Sequence, residues 1–475
     1  MRVALVTREY LGVGKVWSGI ADAVRGLSRA LVEKKQDVTV IMPLGEGNQV
    51  ISVTENHKYQ IKVPFHGKAV SVDVYEVQPK NRAFPSFIFL GLPNVEIVDP
   101  FFSGNEAIVE KRFGLFFDRA AVALLERIRD RFDIVHAHTK VDFLAYFAKA
   151  LGLERPIIYT IHNLEKSEEH SFFSAEFNEL IDCQSTKARI DPYAFAMNWS
   201  DEIVTVSENY AQELIAGKTL HTEYRTDISV NAKRLTGILN GIDDSFSPDS
   251  LYEAKLLPFT FKTTDLKGKE RCHLDLQKRL GLPIGVEIPI MLWSQRLVES
   301  KGAVEFSGAI NAALQLGMQV VIFGSGNQDI EYLFDQKGHN NRERMCIVRF
   351  NQFNSSYEPL FIAGSDIVVQ PSLEEPCGLL ALKAMRLGTL PLVNPVGGLA
   401  QIVKDGQNGF YIPKGKSMED AMGNKLAAIH RLLKSKKGQW QKLIKQAMET
   451  DSSWNLPAEK YLAIYQKVIA GKPVK

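Results

Sequence analysis

The sequence predicts an α/β protein made of two Rossmann-like, doubly wound domains that face each other across a cleft. Three observations lead there. Short strand-like runs, apolar on both faces, alternate with amphipathic helical patterns, the signature of parallel sheets covered by helices on both sides. The 475 residues exceed what one core of ordinary size organises. The rhythm pauses once, in the polar stretch GILNGIDDSFSPDS near residues 237–250, and then restarts.

The first strand is RVALVT, followed by the helical pattern SGIADAVRGLSRALVEKK and the strand DVTVIMP. Residues 40–95 differ: YQIKVPF, AVSVDVYEVQ and PSFIFLG carry little helical period and read as a hairpin-like insertion near the sheet. The series resumes with the helix EKRFGLFFDRAAVALLERIRD, then FDIVHAH, VDFLAYFAKAL, PIIYTIHN, EIVTVS and the helix ENYAQELIAG. Beyond the pause come the helix GKERCHLDLQKRLGLP and five strands, IPIMLWSQR, MQVVIFGSG, MCIVRF, DIVVQPS and TLPLVNPVGG. The expected domains are therefore 1–245 and 246–455. The helical pattern AEKYLAIYQKVI within 456–475 either closes the second domain or crosses back to the first.

Composition narrows the class. With 45% apolar residues, 24% charged residues and a net charge of +2, the chain is globular and unsuited to be a dedicated nucleic-acid binder. The four cysteines, Cys183, Cys272, Cys346 and Cys377, form no C-x-x-C pair, which fits a reduced cytosol better than a disulfide framework. MRVALVTREY reads as a strand and not as a signal peptide, and no run reaches the ~18 apolar residues of a spanning helix. A cytoplasmic protein without a membrane partner is expected; the oligomeric state is open.

Several stretches carry candidate chemistry. Gly12-Val13-Gly14-Lys15 lies between a strand and a helix but has neither Walker A nor dinucleotide-fingerprint spacing, so a plain turn and an anion site stand level. Arg296 and Lys301 follow the strand IPIMLW; a rigid fork and a mobile point charge at a strand's carboxyl end suit a diphosphate, or form a solvated loop beside Glu299. Glu374 and Glu375 precede Pro376 and a helix, where Gly378 permits close backbone approach and free amides can hold an anion. Their adjacency argues against the opposed carboxylates of a glycoside hydrolase. His136, His138 and His162 sit at strand ends; the pair His136-x-His138 puts two imidazoles on one face, but no third ligand stands out, and local hydrogen bonding outweighs metal. Gly324 and Gly326 mark another turn after a strand. The basic stretch IHRLLKSKKGQWQKLIKQ reads as a solvated helix face ahead of a nucleic-acid or polysaccharide site.

These motifs, in this order and at about this spacing, resemble the bacterial glycogen synthase and plant starch synthase family, retaining glycosyltransferases of GT-B architecture. RVALVTREY, SGIADAV, IVHAH, TIHNL, TVSENYAQEL, GILNGID, RLVESKG, EEPCGL, GTLPLV and VGGL carry the resemblance over nearly the full length, and the final SSWNLPAEKYLAIY resembles the family's closing helix, which implies that residues 456–475 return to the first domain. It implies transfer of glucose from a nucleotide sugar, ADP-glucose or UDP-glucose, to the 4-hydroxyl at the non-reducing end of an α-1,4-glucan, without metal or other cofactor. It also implies roles. Arg296 and Lys301 stabilise the leaving diphosphate, Glu375 holds the sugar hydroxyls, and His162 contacts the donor glucose. Lys15, Ser18, Gly19, Asp22 and Asn240 line the donor site from the first domain; Gly324, Gly378, Leu379, Gly397 and Gly398 line it from the second. Since His162 and the cations belong to different domains, productive geometry requires closure.

The departures concentrate around the sugar and the acceptor. The family's K-x-G-G-L becomes KVWSGI, with Trp17 inserted and Ser18 for a glycine. Its H-x-H-D-W becomes His136-Ala137-His138-Thr139-Lys140, its EPCGLTQ ends in Leu380-Ala381, and Val396 and Gln401 alter its TGGLAD. A transferase with a different acceptor, and a catalytically weak paralogue that binds glucan or a partner, therefore stand beside the glucan synthase.

Overall fold

The computed structural model describes residues 1–13, 19–44, 56–81, 83–93, 106–166, 171–173, 177–178, 189–350 and 355–471. The chain folds as two compact units, Met1–Gly241 with Trp454–Lys475, and Ile242–Ser453. The expected boundary at 245 and the change at 455/456 lie within a few residues of these breaks, and the closing helix groups with the first unit.

The first unit is built on a nine-stranded sheet. Its strands are β1 (Arg2–Val6), β2 (Asp37–Pro43), β3 (Asn56–Phe65), β4 (Lys68–Val77), β5 (Ser86–Gly91), β6 (Ile134–His138), β7 (Ile157–Ile161), β10 (Glu202–Thr205) and β11 (Leu235–Gly237). A separate pair, β8 (Phe172–Phe173) and β9 (Arg189–Ile190), completes the numbering. The order is β11-β10-β7-β6-β1-β2-β5-β4-β3. From β11 through β5 all neighbours run parallel; β4 and β3 continue antiparallel. The stretch expected as an insertion beside the sheet is thus part of the sheet. Its alternation comes from a hairpin at the rim, where one face is wetter.

Successive β1 residues feed opposite cores: Ala4 and Val6 belong to one, Val3 and Leu5 to the other. Both faces being covered explains why these strands lack polar alternation. The helix Gly19–Glu33 buries Ile20, Ala23, Val24, Leu27, Ala30 and Leu31, the stripe expected of a 3.6-residue period. The closing helix Asn455–Ile469 packs in the same core through Ala458, Tyr461 and Tyr465, preceded by Trp454. A Cβ on Gly26 would fall 1.9 Å from Trp454 Nε1, so only glycine admits that ring.

The second unit carries a six-stranded, wholly parallel sheet of order β14-β13-β12-β15-β16-β17. Its strands are β12 (Ile290–Ser294), β13 (Gln319–Phe323), β14 (Met345–Val348), β15 (Ile367–Gln370), β16 (Leu390–Val393) and β17 (Phe410–Tyr411). The helix Lys267–Leu280 ends on Gly281 at φ +66°, a left-handed cap, and buries Lys269. That ammonium donates to Ala363 O, Ser365 O and Thr389 Oγ1 at 2.8, 2.9 and 2.9 Å, and burial lowers its pKa to about 8. Among the described residues no helix is long and apolar enough to cross a membrane.

Strand order locates the chemistry. In a parallel sheet, ligands bind beyond the carboxyl ends where the winding reverses. In the second unit that point lies between β12 and β15; in the first it lies between β1 and β6.

Candidate active site

At the reversal in the second unit, the loop after β12 bears Arg296 and Lys301, and the loop after β15 bears Glu375. Lys301 Nζ donates to Glu375 Oε2 at 2.8 Å, and Ser372 Oγ donates to the same oxygen at 3.1 Å. Asn394 Nδ2 donates to Ser372 O at 2.9 Å and steadies the turn. The loops touch through backbone as well: Leu373 N donates to Ser300 O, and a Cβ on Gly302 would lie 2.2 Å from Pro371 O. Glu375 is only 9% exposed, so its orientation is fixed, and both contacts fall on Oε2. Oε1 is left to meet a ligand.

Arg296 is exposed and makes no ion pair among the described residues. Trp293 Nε1, on β12, donates to Gln295 O within the loop, and the loop is stitched to the turn after β13: Leu297 N donates to Ser325 O, and a Cβ on Gly324 would sit 2.2 Å from Gln295 O. Gly324 therefore serves close packing beneath the cation.

Gly378, at φ +95°, caps the helix Leu379–Arg386, whose first amides have no partner within the helix. Gly397 and Gly398 open the next helix, Gly397–Ile402. Gly398 N donates to Glu375 O at 2.9 Å, and a Cβ there would meet Cys377 O at 1.8 Å. The two glycines and Glu375 thus form one packed backbone unit.

In the first unit three histidines line up, two on β6 and His162 one residue beyond β7. His136 uses both nitrogens, Nδ1 with Tyr465 Oη and Nε2 with Thr160 Oγ1, each at 2.7 Å. His138 Nδ1 and His162 Nε2 share a hydrogen bond of 3.0 Å. Burial lowers the pKa of His136 and of His162 to about 3, and that of His138 well below the ordinary value. All three are neutral at physiological pH. Among the described residues no group of three or more His, Cys, Asp or Glu side chains could hold a metal ion.

Thr139 stands where the family's acid would be. Its hydroxyl donates to Thr160 O at 3.1 Å and accepts from His162 N at 2.8 Å, tying β6 to the start of the His162 loop. Lys140, at φ +77°, pairs with the buried Glu9 at 3.2 Å. Glu9 lies just beyond β1, so this ion pair spans the reversal point.

The remaining expected residues fall as follows. Lys15 and Ser18, with Gly14 and Trp17, lie outside the described residues. Gly12 takes φ +85° in a turn where Val13 N donates to Tyr10 O. Gly19 opens the following helix, Asp22 stands in its first turn, and Asn240 is buried three residues beyond β11. Trp440, in the basic stretch, is buried and stacks on Phe410 at 6.3 Å, so it offers no platform to a ligand.

Reasoning from residue types missed Ser372, Asn394, Trp293 and the double hydrogen bond of Thr139. The first two follow motif strands directly, and that position was their only signal. Thr139 was visible only as a departure.

Comparison with known proteins gives the family. Residues 2–226 match the family model for the starch synthase catalytic domain, and residues 279–449 match the model for glycosyl transferases group 1. A glycogen synthase of Treponema denticola is 30% identical, with 99% of each chain covered. One from Pseudothermotoga lettingae is 28% identical over 99% of this chain and all of its own. The catalytic domain of Arabidopsis thaliana starch synthase IV, solved with ADP and acarbose, superposes with a TM-score of 0.87 at 26% identity and covers 99% of both chains. On this sequence, fold and site, the chain belongs to the glycogen synthase and starch synthase family, glycosyltransferases of the GT-B fold.

Proposed function

We propose that the protein is a retaining glucosyltransferase that passes glucose from ADP-glucose or UDP-glucose to the non-reducing end of an α-1,4-glucan, with no metal or other cofactor. The observation that carries this reading is the Lys301–Glu375–Ser372 cluster at the reversal point of the second unit, with Arg296 on the same loop as Lys301. Relatives named glycogen synthase over their whole length, and a structural neighbour holding ADP and the glucan mimic acarbose, support it.

The roles follow from charge and position. When the bond between the sugar's C1 and the diphosphate breaks, negative charge grows on the departing oxygen. Arg296 and Lys301 meet it without a metal. The amides at Leu379 and Leu380 add partial positive charge. Glu375 Oε1 accepts from a sugar hydroxyl and opposes the positive charge that builds at C1. The acceptor's 4-hydroxyl oxygen bonds to C1, and its proton passes to the diphosphate. His162, neutral, contacts the donor glucose. The intact cluster argues against a chain that only binds glucan.

The test is incorporation of labelled glucose from each sugar nucleotide into glycogen, with and without EDTA. Incorporation should persist in EDTA and fall about 10²–10³-fold in Arg296→Ala, Lys301→Ala and Glu375→Ala. Nucleotide release without labelled polymer would favour a different acceptor. No reaction and no thermal shift with either nucleotide would defeat the proposal.

A further inference from the structure

His162 is gripped at two points, and the second grip has a chemical consequence. Its backbone N–H is held by Thr139 Oγ1, and its Nε2 by His138 Nδ1. His138 itself is 1% exposed, and its other nitrogen, Nε2, is buried with no hydrogen-bond partner among the described residues. Its ring lies 4.2 Å from that of His136, whose two nitrogens are both engaged by hydroxyls.

A neutral imidazole carries one N–H and one bare nitrogen. Of the two ways to protonate His138, one leaves a bare Nε2 in the core and the other leaves an orphaned N–H. Buried N–H groups are the ones that go without partners least often. The proton therefore belongs on His138 Nδ1, which donates to His162 Nε2. That nitrogen must then be bare, and the His162 proton must sit on Nδ1.

We infer that His138 is a positioning residue that fixes the tautomer of His162, so that His162 presents its Nδ1–H as a hydrogen-bond donor to a hydroxyl of the bound sugar. The depressed pKa values support this, since both rings stay neutral across the working range. The two strand ends supply the geometry: β6 delivers His138 and Thr139, and β7 delivers His162 one residue beyond its end. The catalytic consequence rests on the glucosyltransferase reading above; the tautomer does not.

The experiment is a long-range nitrogen–proton correlation spectrum of the full-length protein labelled with nitrogen-15 histidine, assigned with His162→Gln. Wild type should show His162 with a protonated Nδ1 and a bare Nε2. His138→Asn places an amide nitrogen where imidazole Nδ1 stood and should keep that tautomer. His138→Leu should lose it and show a mixture. In parallel, kcat/KM for the sugar nucleotide should fall about tenfold in His138→Leu, the low end of the effect of removing such an outer partner from a metal-bound histidine, and recover in His138→Asn. A wild-type His162 protonated on Nε2, or a His138→Leu protein that keeps the wild-type tautomer, overturns the inference. The expected tautomer change with unaltered kinetics upholds the positioning and overturns the placing of His162 on the donor sugar.

Discussion

The ammonium of Lys301 donates to Glu375 Oε2 across 2.8 Å and joins the loop after β12 to the loop after β15. Each group orients the other, and each has a separate task in the proposed reaction. Lys301→Met keeps the side-chain volume and removes the charge. It should lower kcat by about 10²–10³. It should also cost about 1–3 kcal/mol of stability, because Glu375 is nearly buried and keeps only Ser372. Adding Glu375→Gln should recover most of the stability and none of the activity, since a neutral amide needs no cation. Recovery of activity in the double variant would show that the pair is structural only.

The glycines beside this cluster give a second prediction with a built-in control. A Cβ at Gly398 meets the carbonyl of Cys377 at 1.8 Å, and backbone cannot step aside as a flexible side chain can. Gly398→Ala should therefore displace Glu375, whose carbonyl accepts from Gly398 N. Thermal stabilisation by nucleotide, about 2.7 kcal/mol at 100 times the dissociation constant in the wild type, should vanish at that concentration. A Cβ on Gly438, inside the helix Lys437–Met448, would have nothing within 4 Å of it. Gly438→Ala should stabilise by about 0.4–1 kcal/mol and leave binding unchanged. Equal effects at both sites would remove the steric argument.

These contrasts show what the sequence could and could not disclose. The alternation of apolar runs with helical stripes was enough for two parallel α/β units, because strands buried on both faces write their burial directly into composition. The rim strands β3 and β4 were misjudged because a half-wet hairpin reads alike inside a sheet and beside it. Arg296, Lys301 and Glu375 stood out since charged residues in motif order have few other uses. Thr139 did not, because the carbonyl it donates to is that of Thr160, on a strand a loop and a helix away. Nor did Lys269, whose three acceptors come from residues about a hundred positions downstream. The basic stretch reads as a solvated helix face, yet its Trp440 turns inward and stacks on Phe410, a partner on a distant strand that residue type does not disclose.

Thr139 supplies a third prediction. Its hydroxyl both donates and accepts, so Thr139→Val leaves His162 N and Thr160 O each without that partner and should cost about 1–3 kcal/mol. Thr139→Ser should restore the wild-type melting temperature to within about a degree or two, given the usual conversion of a few tenths of a kcal/mol. Thr139→Asp, which reinstates the family's acid, should not rescue. An ionised carboxylate cannot donate to Thr160 O, and it would face that carbonyl at hydrogen-bond distance. A fully stable Thr139→Asp protein would show that the backbone here rearranges freely.

Acid stability gives the last prediction, and its sign can be worked out from the buried groups of the first unit. Burial holds His136 and His162 at about 3, and His138 lower than its ordinary 6.5. Below about pH 6 the unfolded chain protonates these rings while the folded chain resists, so they make stability fall as pH falls, His136 and His162 each by about 1.4 kcal/mol per pH unit down to about pH 3. Two carboxyls oppose them. Burial raises Asp142 to about 6 and Asp118 well above 3.8, so on the acid side of neutrality these carboxyls release protons on unfolding and offset part of that fall. Two raised carboxyls do not cancel three depressed imidazoles, so stability should still fall as pH drops from 6 to 4, less steeply than the histidines alone would dictate. Below pH 4 the unfolded aspartates are protonated too, the opposition ends, and the fall should steepen until His136 and His162 titrate near pH 3. Urea unfolding at half-unit steps from pH 7 to 3.5 measures this directly. A curve that stays flat or rises as pH drops from 6 to 4 would mean that the histidines of β6 and β7 accept protons in the folded protein, contrary to their burial.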